Sequence, residues 1–551
     1  MLGRSVLTDA EAAHAAMTAG RPKVQRRTFL AGAATAVVAG RKATAQTNAA
    51  RVLRYVPQAD LTVIDPVMTT AYITRFHATM VWDQLYGIDG KLQPQPQMVE
   101  GHTLEDDGRL WTFTLRDGLR FHDGEPVRGR DCVASIKRWA ARDPMGQALL
   151  ARVAEMSAPD DRRFVIRLTR PFSLVLNCLS KIGPPALVVM PERFANTDPF
   201  VSIKEVVGSG PFRFLPNERV VGSRVVYARN QDYVPRPGGA PDWLAGPKIV
   251  NFDRVEWTVM PDPGTAAAAL QNGEVDWWEN PPNDLLPMLQ RNHDVRTEDT
   301  GPLGTIGTAV FNHLHPPFDK PAVRRIVLEA ISQADFMTAA AGTNPEMWRD
   351  GVGIFSPGTS MASSAGMAAI KGPKRDLATL KKALPDAGYQ KERIVFMAPS
   401  DQAVLTAQGA VALDLLQKLG FDVDYAVMDW GTLVQRRASK EPPDKGGWNM
   451  FITGWNGLDM TTPITNQTLR SNGAKAWFGW PDLPPVQDLI EAWLEAPDLP
   501  TQQKIAADLQ AKALELVPYV PTGQYFYRTA CRSNITGIIP GQFVFWNVRR
   551  T

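Results

Sequence analysis

Two histidines one residue apart, His313 and His315 in FNHLHPPFD, have types and spacing that could hold a metal ion. On a strand they would share a face, as two ligands of one ion must. No third ligand lies near them in the sequence, so no metal site is expected. The stretch GSGPF (208–212) approaches the glycine-flanked serine of a nucleophile elbow, but its spacing is wrong for the sharp strand-to-helix turn that exposes the hydroxyl. There is no phosphate loop and no His-Glu-x-x-His helix. Carboxylates are plentiful, yet no pair stands out as an acid and a base. Cys132, Cys178 and Cys531 are odd in number and widely spaced, which fits neither a zinc pattern nor a disulfide framework and leaves a single bridge open. No catalytic residue and no cofactor are therefore expected. The fifteen tryptophans carry more information. Each offers a broad flat face and one N–H, which suits the walls around an organic ligand. Most are expected in cores, including at least one ring of Trp277-Trp278.

The compartment is written near the start of the chain. QRRTFLAGAATAVVAGRKATAQ (25–46) holds an apolar run from Phe29 to Gly40, too short for a membrane span, which needs roughly 20 residues. Arg26 and Arg27 precede it, and Ala43-Thr44-Ala45 forms a small-x-small cleavage pattern. The pattern is that of an export signal of the twin-arginine kind, cut after Ala45. Residues 1–45 hold seven basic and two acidic residues, so the whole-chain totals of 60 and 57 fall to 53 and 55 beyond the cut. Nothing in that balance calls for a nucleic acid partner. No cysteine follows the cut site, so a soluble periplasmic protein without a lipid anchor is expected.

The remaining 500 or so residues imply several lobes of mixed strands and helices. In LWTFTLR (110–116), Trp111, Phe113 and Leu115 alternate with polar residues, the mark of a half-buried strand. Asp117-Gly118 and Asp123-Gly124 are turn dipeptides. RFVIRLTR (163–170) and RVEWTVM (254–260) alternate in the same way. Residues 321–337 read as one helix with the stripe Val323, Ile326, Val327, Ala330 and Ile331. Residues 393–428 read as strand, helix and strand, with Val404, Val411, Leu415 and Leu419 on the inner helix face, a stop at Gly420, and Phe421, Val423, Tyr425 and Val427 on one strand face. Such βαβ units place ligands at the carboxyl ends of parallel strands. An α/β second half and a strand-rich first half follow.

TLRDGLRFHDGEP (114–126), followed by DCVASIKRW, closely resembles the family 5 extracellular solute-binding proteins of ABC transporters, the dipeptide-, oligopeptide- and nickel-binding group. Segments resembling that family recur in the same order: LTVIDPVMTTAYITRFHATMVWDQLYGID (61–89), VGSGPFRF with RNQDYV (207–234), ALQNGEVDWWEN (269–280), FNHLHPPFDKPAVRRIVLEAIS (311–332) and ALELVPYVPTGQYF (513–526). The resemblance implies a periplasmic-binding-protein-like fold, two α/β lobes joined by a hinge with an extra strand-rich subdomain. Lobe I would comprise 46–90, 206–303 and 522–551, the extra subdomain 91–205, and lobe II 304–521. Hinge crossings would fall at Leu303-Gly304 and Val520-Pro521.

The same resemblance implies capture of a solute by hinge closure, delivery to an ABC permease, and a monomer that catalyses nothing. ITGWNGLDMTTP (452–463) resembles the family's Gly-Trp-x-x-Asp segment, whose Trp flanks a peptide and whose Asp pairs its amino terminus. Trp455 matches the Trp and Asn456 follows it. Leu458 takes the place of the Asp, and Asp459, one residue later, faces the other side if the segment is extended. The amine-binding carboxylate is thus missing from its expected place, and an opine or sugar-like solute stands beside a peptide. Thr69, Thr70 and Tyr72 would face the cleft from lobe I, and Trp348 and Trp477 from loops of lobe II. The competing readings are an exported hydrolase or a ligand-presenting sensory receptor on the same scaffold.

Overall fold

A computed structural model describes residues 51–551 apart from 182, 300, 302, 373–375 and 542. The expected signal residues Arg26, Arg27, Ala43 and Ala45 lie outside the described residues. Three larger sheets organise the chain. The first has seven strands in the order Val295–Asp299, Arg528–Arg532, Trp277–Trp278, Val52–Val56, Arg254–Thr258, Arg224–Arg229 and Phe212–Phe214. Its strand Val52–Val56 runs parallel to both neighbours. The second has six strands in the order Trp348–Arg349, Tyr519–Tyr525, Thr305–Phe311, Met450–Asn456, Arg393–Pro399 and Asp422–Met428. The third is an antiparallel sheet of Val99–Glu105, Leu110–Leu115, Arg163–Leu168 and Val153–Ser157.

Side-chain alternation sets these strands. Trp111, Phe113 and Leu115 point into the core of the four-stranded sheet. Val255 and Trp257 do the same in the seven-stranded sheet, where Trp257, Tyr55, Trp277 and Phe545 form a ring cluster. Both Trp277 and Trp278 are buried. The unit at 393–428 forms with its two strands parallel and Gly420 in the left-handed region at the helix end. Its inner helix face is rotated from the expected one. Leu405, Ala412, Leu416 and Leu419 are buried, while Val404, Val411 and Leu415 pack only partly. Asp422–Met428 is an edge strand, so Val427 remains 57% exposed. The single helix expected over 321–337 is two, Pro321–Ala330 and Gln333–Ala341. Ile331 turns extended, and the Ser332 hydroxyl accepts from the Asp335 N–H, starting a new helix.

The chain passes between the six- and seven-stranded sheets twice. The first passage lies between Asp299 and Thr305 and includes Leu303 and Gly304, the latter with φ +48°. The second was expected at Val520-Pro521, and that placement is corrected. Both residues lie inside Tyr519–Tyr525, paired with Ala309 and Thr308, and Val520 is fully buried. A stretch held in the ladder with Thr305–Phe311 and buried in the core is poorly placed to absorb a rotation. The chain leaves the sheet only at Phe526-Tyr527, so Gly523 to Tyr525 still pair within the six-stranded sheet, beyond a register shift at Thr522. The two passages lie side by side. Gln524 Nε2 donates to the Leu303 carbonyl at 2.7 Å, and a Cβ on Gly304 would collide with the Tyr525 carbonyl. At that φ and spacing only glycine fits.

Candidate functional site

Between the two halves lies a cleft of about 1990 Å³, wider than the roughly 300–1,000 Å³ of pockets for drug-sized ligands. One wall is built around the helix Tyr72–Val81. Thr69 turns the chain into it by accepting from the Ala71 N–H at 3.1 Å. This occupies Thr69, which is buried and does not line the cleft, contrary to expectation. Tyr72 does line it. Its hydroxyl donates to Asp459 Oδ2 at 2.5 Å and accepts from the Asn456 N–H at 2.6 Å, joining the first wall to the second.

Asp459 reaches this position because its segment is not extended. The strand Met450–Asn456 ends where the Asn456 carboxamide accepts from the Leu458 N–H, and Gly457–Met460 forms a 3₁₀ turn. A turn of three residues does not send neighbours to opposite faces. Asp459 therefore enters the cleft wall, 3% exposed, beside Leu458, which also lines the cleft and packs with Trp243, Leu244 and Trp546. The expectation that Asp459 faces away is overturned. Burial raises the Asp459 carboxyl above the ordinary range, opposed by Arg75 and by the Tyr72 hydroxyl. Its other oxygen sits against Gly183, where a Cβ would collide with it.

A second bridge surrounds Thr70. Its hydroxyl accepts from Arg437 Nη2 at 3.0 Å and from Trp477 Nε1 at 3.3 Å. Trp477 meets Trp455 edge-on, with ring centroids 5.1 Å apart, and both line the cleft. Arg437 lies over Trp477 and Phe478, and burial lowers its guanidinium to about 9. A third bridge runs from Gln402 Nε2 to the Gln58 carbonyl at 2.8 Å. Trp348 does not join this group. It pairs with Tyr525 at the sheet edge, and its Nε1 donates to the Gly342 carbonyl.

Among the cleft residues that escaped the sequence reading are the charged Arg75, Glu279 and Arg437. Glu279 and Arg75 lie inside the segments 269–280 and 61–89, and neither they nor Arg437 stand out there as ligand contacts. Glu279 accepts from the Gln58 N–H at 2.8 Å through Oε2, while Oε1 is buried without a partner. Burial pushes this carboxyl up to about 7.

The residues first singled out for chemistry have structural partners. His313 and His315 follow the strand Thr305–Phe311, and each makes a 3.0 Å bond to a carbonyl, of Pro518 and Lys440. Among the described residues no three His, Cys, Asp or Glu side chains gather to hold a metal. In GSGPF, Ser209 is buried, accepting from the Asp83 N–H and donating to the Val189 carbonyl. Gly208 and Gly210 lie where a Cβ would collide with the backbone around Val81. The motif is a close crossing of chains. The three cysteines are free and buried, and no described helix is long and apolar enough to cross a membrane.

Two halves that clasp a large cleft through reciprocal hydrogen bonds define a binding protein. The sequence profile of the bacterial extracellular solute-binding proteins, family 5 Middle, matches residues 93–477. A probable peptide ABC transporter periplasmic-binding protein of Sinorhizobium fredii is 35% identical over 537 residues, covering 97% of this chain and all of the relative. Among solved structures, a periplasmic binding protein of Agrobacterium tumefaciens R10 with agropinic acid superposes with a TM-score of 0.74 at 21% identity, covering 91% of this chain and 99% of that one. A dipeptide-binding protein of Pseudoalteromonas sp. SM9913 with Met-Leu gives the same TM-score and identity over 91% of this chain and 100% of that one. The chain belongs to the family 5 bacterial extracellular solute-binding proteins. Its function is that of the solute-binding component of an ABC importer.

Proposed function

We propose that this protein captures a peptide, or an opine or sugar-like solute of similar size, in the periplasm and hands it to a membrane permease without making or breaking a bond. The lobes are those carrying the seven- and six-stranded sheets, the four-stranded sheet forms the extra subdomain of the first, and the hinge is the pair of adjacent passages at Leu303-Gly304 and Phe526-Tyr527. The protein works as a monomer. It is exported on a leader with Arg26-Arg27, cut after Ala45, and carries no lipid anchor.

The observation that carries this reading is the Tyr72 hydroxyl, which bonds Asp459 and Asn456 at once. Its helix belongs to the first half and its partners to the second, so both bonds exist only when the halves meet. A solute touching both walls favours the same state by the difference in its affinity for the two forms. Taking closure from 1% to 99% requires about 5.5 kcal/mol of such difference, within reach of a largely apolar cleft with a few placed polar groups. Native mass spectrometry of the protein purified from its own periplasm tests the reading. A retained peptide or small organic solute, unchanged on incubation, is expected. A solute converted to product by the protein would overturn it.

A further inference from the structure

We propose that the solute is acidic, with at least two carboxylates, one received by Arg75 and the other by Arg437. This rests on the solute-capture reading above and names the chemical class that the cleft accepts.

The charges of the cleft divide between its rim and its interior. At the rim, Asp284, Glu346, Asp401 and Asp429 are exposed and screened by water. Asp401 accepts from the Trp430 N–H, and Asp429 caps a helix through Thr432. The interior groups are Arg75, Lys181, Glu279, Arg437 and Asp459, each buried. Lys181 pairs with Asp143, Asp459 receives the Tyr72 hydroxyl, and Glu279 receives the Gln58 N–H.

Two guanidinium groups remain. Arg75, 4% exposed, has the rings of Tyr72 and Phe76 against it at 4.9 and 4.8 Å. Asp459 and Glu279 act on it through space, but no hydrogen bond or ion pair joins it to either. Arg437, 3% exposed, bonds only the Thr70 hydroxyl, and its buried Nε has no partner. Among the described residues, no carboxylate forms an ion pair with Arg437. A buried charge without a direct ionic partner is costly; Arg437 has no carboxylate acting on it, and Arg75 is compensated only through space. With a ring over its face, each guanidinium is left with its edge, and the edge is the fork of donors that matches a carboxylate. Asp459, the acid that ends the Trp455 segment, is already held by Tyr72 and enclosed by Gly183. Asp60, half-buried, accepts from the Gly222 N–H, and burial holds Glu279 toward its neutral form, so the groups left with donors to offer a solute are the two guanidiniums.

The test offers the purified protein a pooled library of di- to tetrapeptides together with non-peptide dicarboxylates, and mass spectrometry reads what is retained. Species with two or more carboxylates should dominate, and which arm they come from distinguishes an acidic peptide from an opine-like acid. The best retained compound is then titrated by calorimetry beside its mono-amide. The mono-amide should bind about 10-fold more weakly. R437Q should reduce that preference to about twofold or less, and R437K should recover part of it. R75Q provides the same comparison at the other end. Retention of mono-carboxylate species as strongly as acidic ones, or an unchanged preference in both variants with native circular dichroism, overturns the proposal and leaves solute capture standing. Retention of nothing from either arm counts against the solute-capture reading itself.

Discussion

Replacing Tyr72 by phenylalanine isolates the clasp. The ring and its packing against Arg75 stay, and only the hydroxyl goes. Two bonds are lost, the 2.5 Å donation to Asp459 and the 2.6 Å acceptance from the Asn456 N–H. The first involves a carboxylate buried to 3% exposure, so its loss leaves a charge without its main donor. A bond to a charged group contributes about 1.5–3 kcal/mol. Because both bonds form only when the halves meet, the whole loss falls on closure. At 1.4 kcal/mol per tenfold change, Tyr72→Phe should weaken solute binding by about 10- to 150-fold. The opened form keeps both walls folded, so the melting temperature without solute should move by only a few degrees. Calorimetric titration of the native solute gives the first quantity and differential scanning fluorimetry the second. In a double-mutant cycle, D459N should cost little more once the hydroxyl is gone. A Kd within twofold of the wild type, or full additivity of the two substitutions, would refute the clasp.

Glu279 gives a pH dependence with a definite sign. Its carboxyl is raised by burial from 4.5 to about 7, so between those values the native state holds a proton that the unfolded chain has released. Stability then falls as pH rises through that window, by at most about 3 kcal/mol at ~1.36 kcal/mol per pH unit. E279Q should flatten this fall in urea melts from pH 4.5 to 8. An equal fall in the variant would place its cause elsewhere. Gly183→Ala sets a methyl against the Asp459 carboxylate and should impair solute binding by about tenfold or more while far-ultraviolet dichroism stays native; unimpaired binding would show that this contact does not govern closure. Ser332→Ala removes the cap that restarts the helix after Ile331 and should cost about 1 kcal/mol of stability in denaturant melts, leaving affinity unchanged.

Strands whose burial alternates were legible in the sequence, since Trp111, Phe113 and Leu115 carry the core face in their own spacing. The βαβ unit at 393–428 was legible from its period and its glycine stop, though the inner face was misread because Val404 and Val411 are as apolar as the residues that turn inward. Asp459 was misplaced for a local reason. Asn456 folds its carboxamide back on Leu458, and one 3₁₀ turn reverses the side expected of an extended chain. Arg75 and Arg437 carried no signal, because nothing in the spacing marks either arginine for burial: Tyr72 and Phe76 flank Arg75 on its own helix, and Thr70, Trp477 and Phe478 reach Arg437 from other segments. The second passage was set too early by the resemblance, for in this chain Pro521 sits in a strand ladder that shifts register beside it.

The central claim is that the two walls move together around an unreacted solute. The direct measurement is the distance between spin labels on Lys91 and Gln435, outside the cleft contacts on either half, with and without the retained solute. A broad, longer distribution is expected without solute and a single shorter distance with it, the solute being recovered intact. An identical distribution in both conditions while calorimetry registers binding, or recovery of the solute as product, would contradict it.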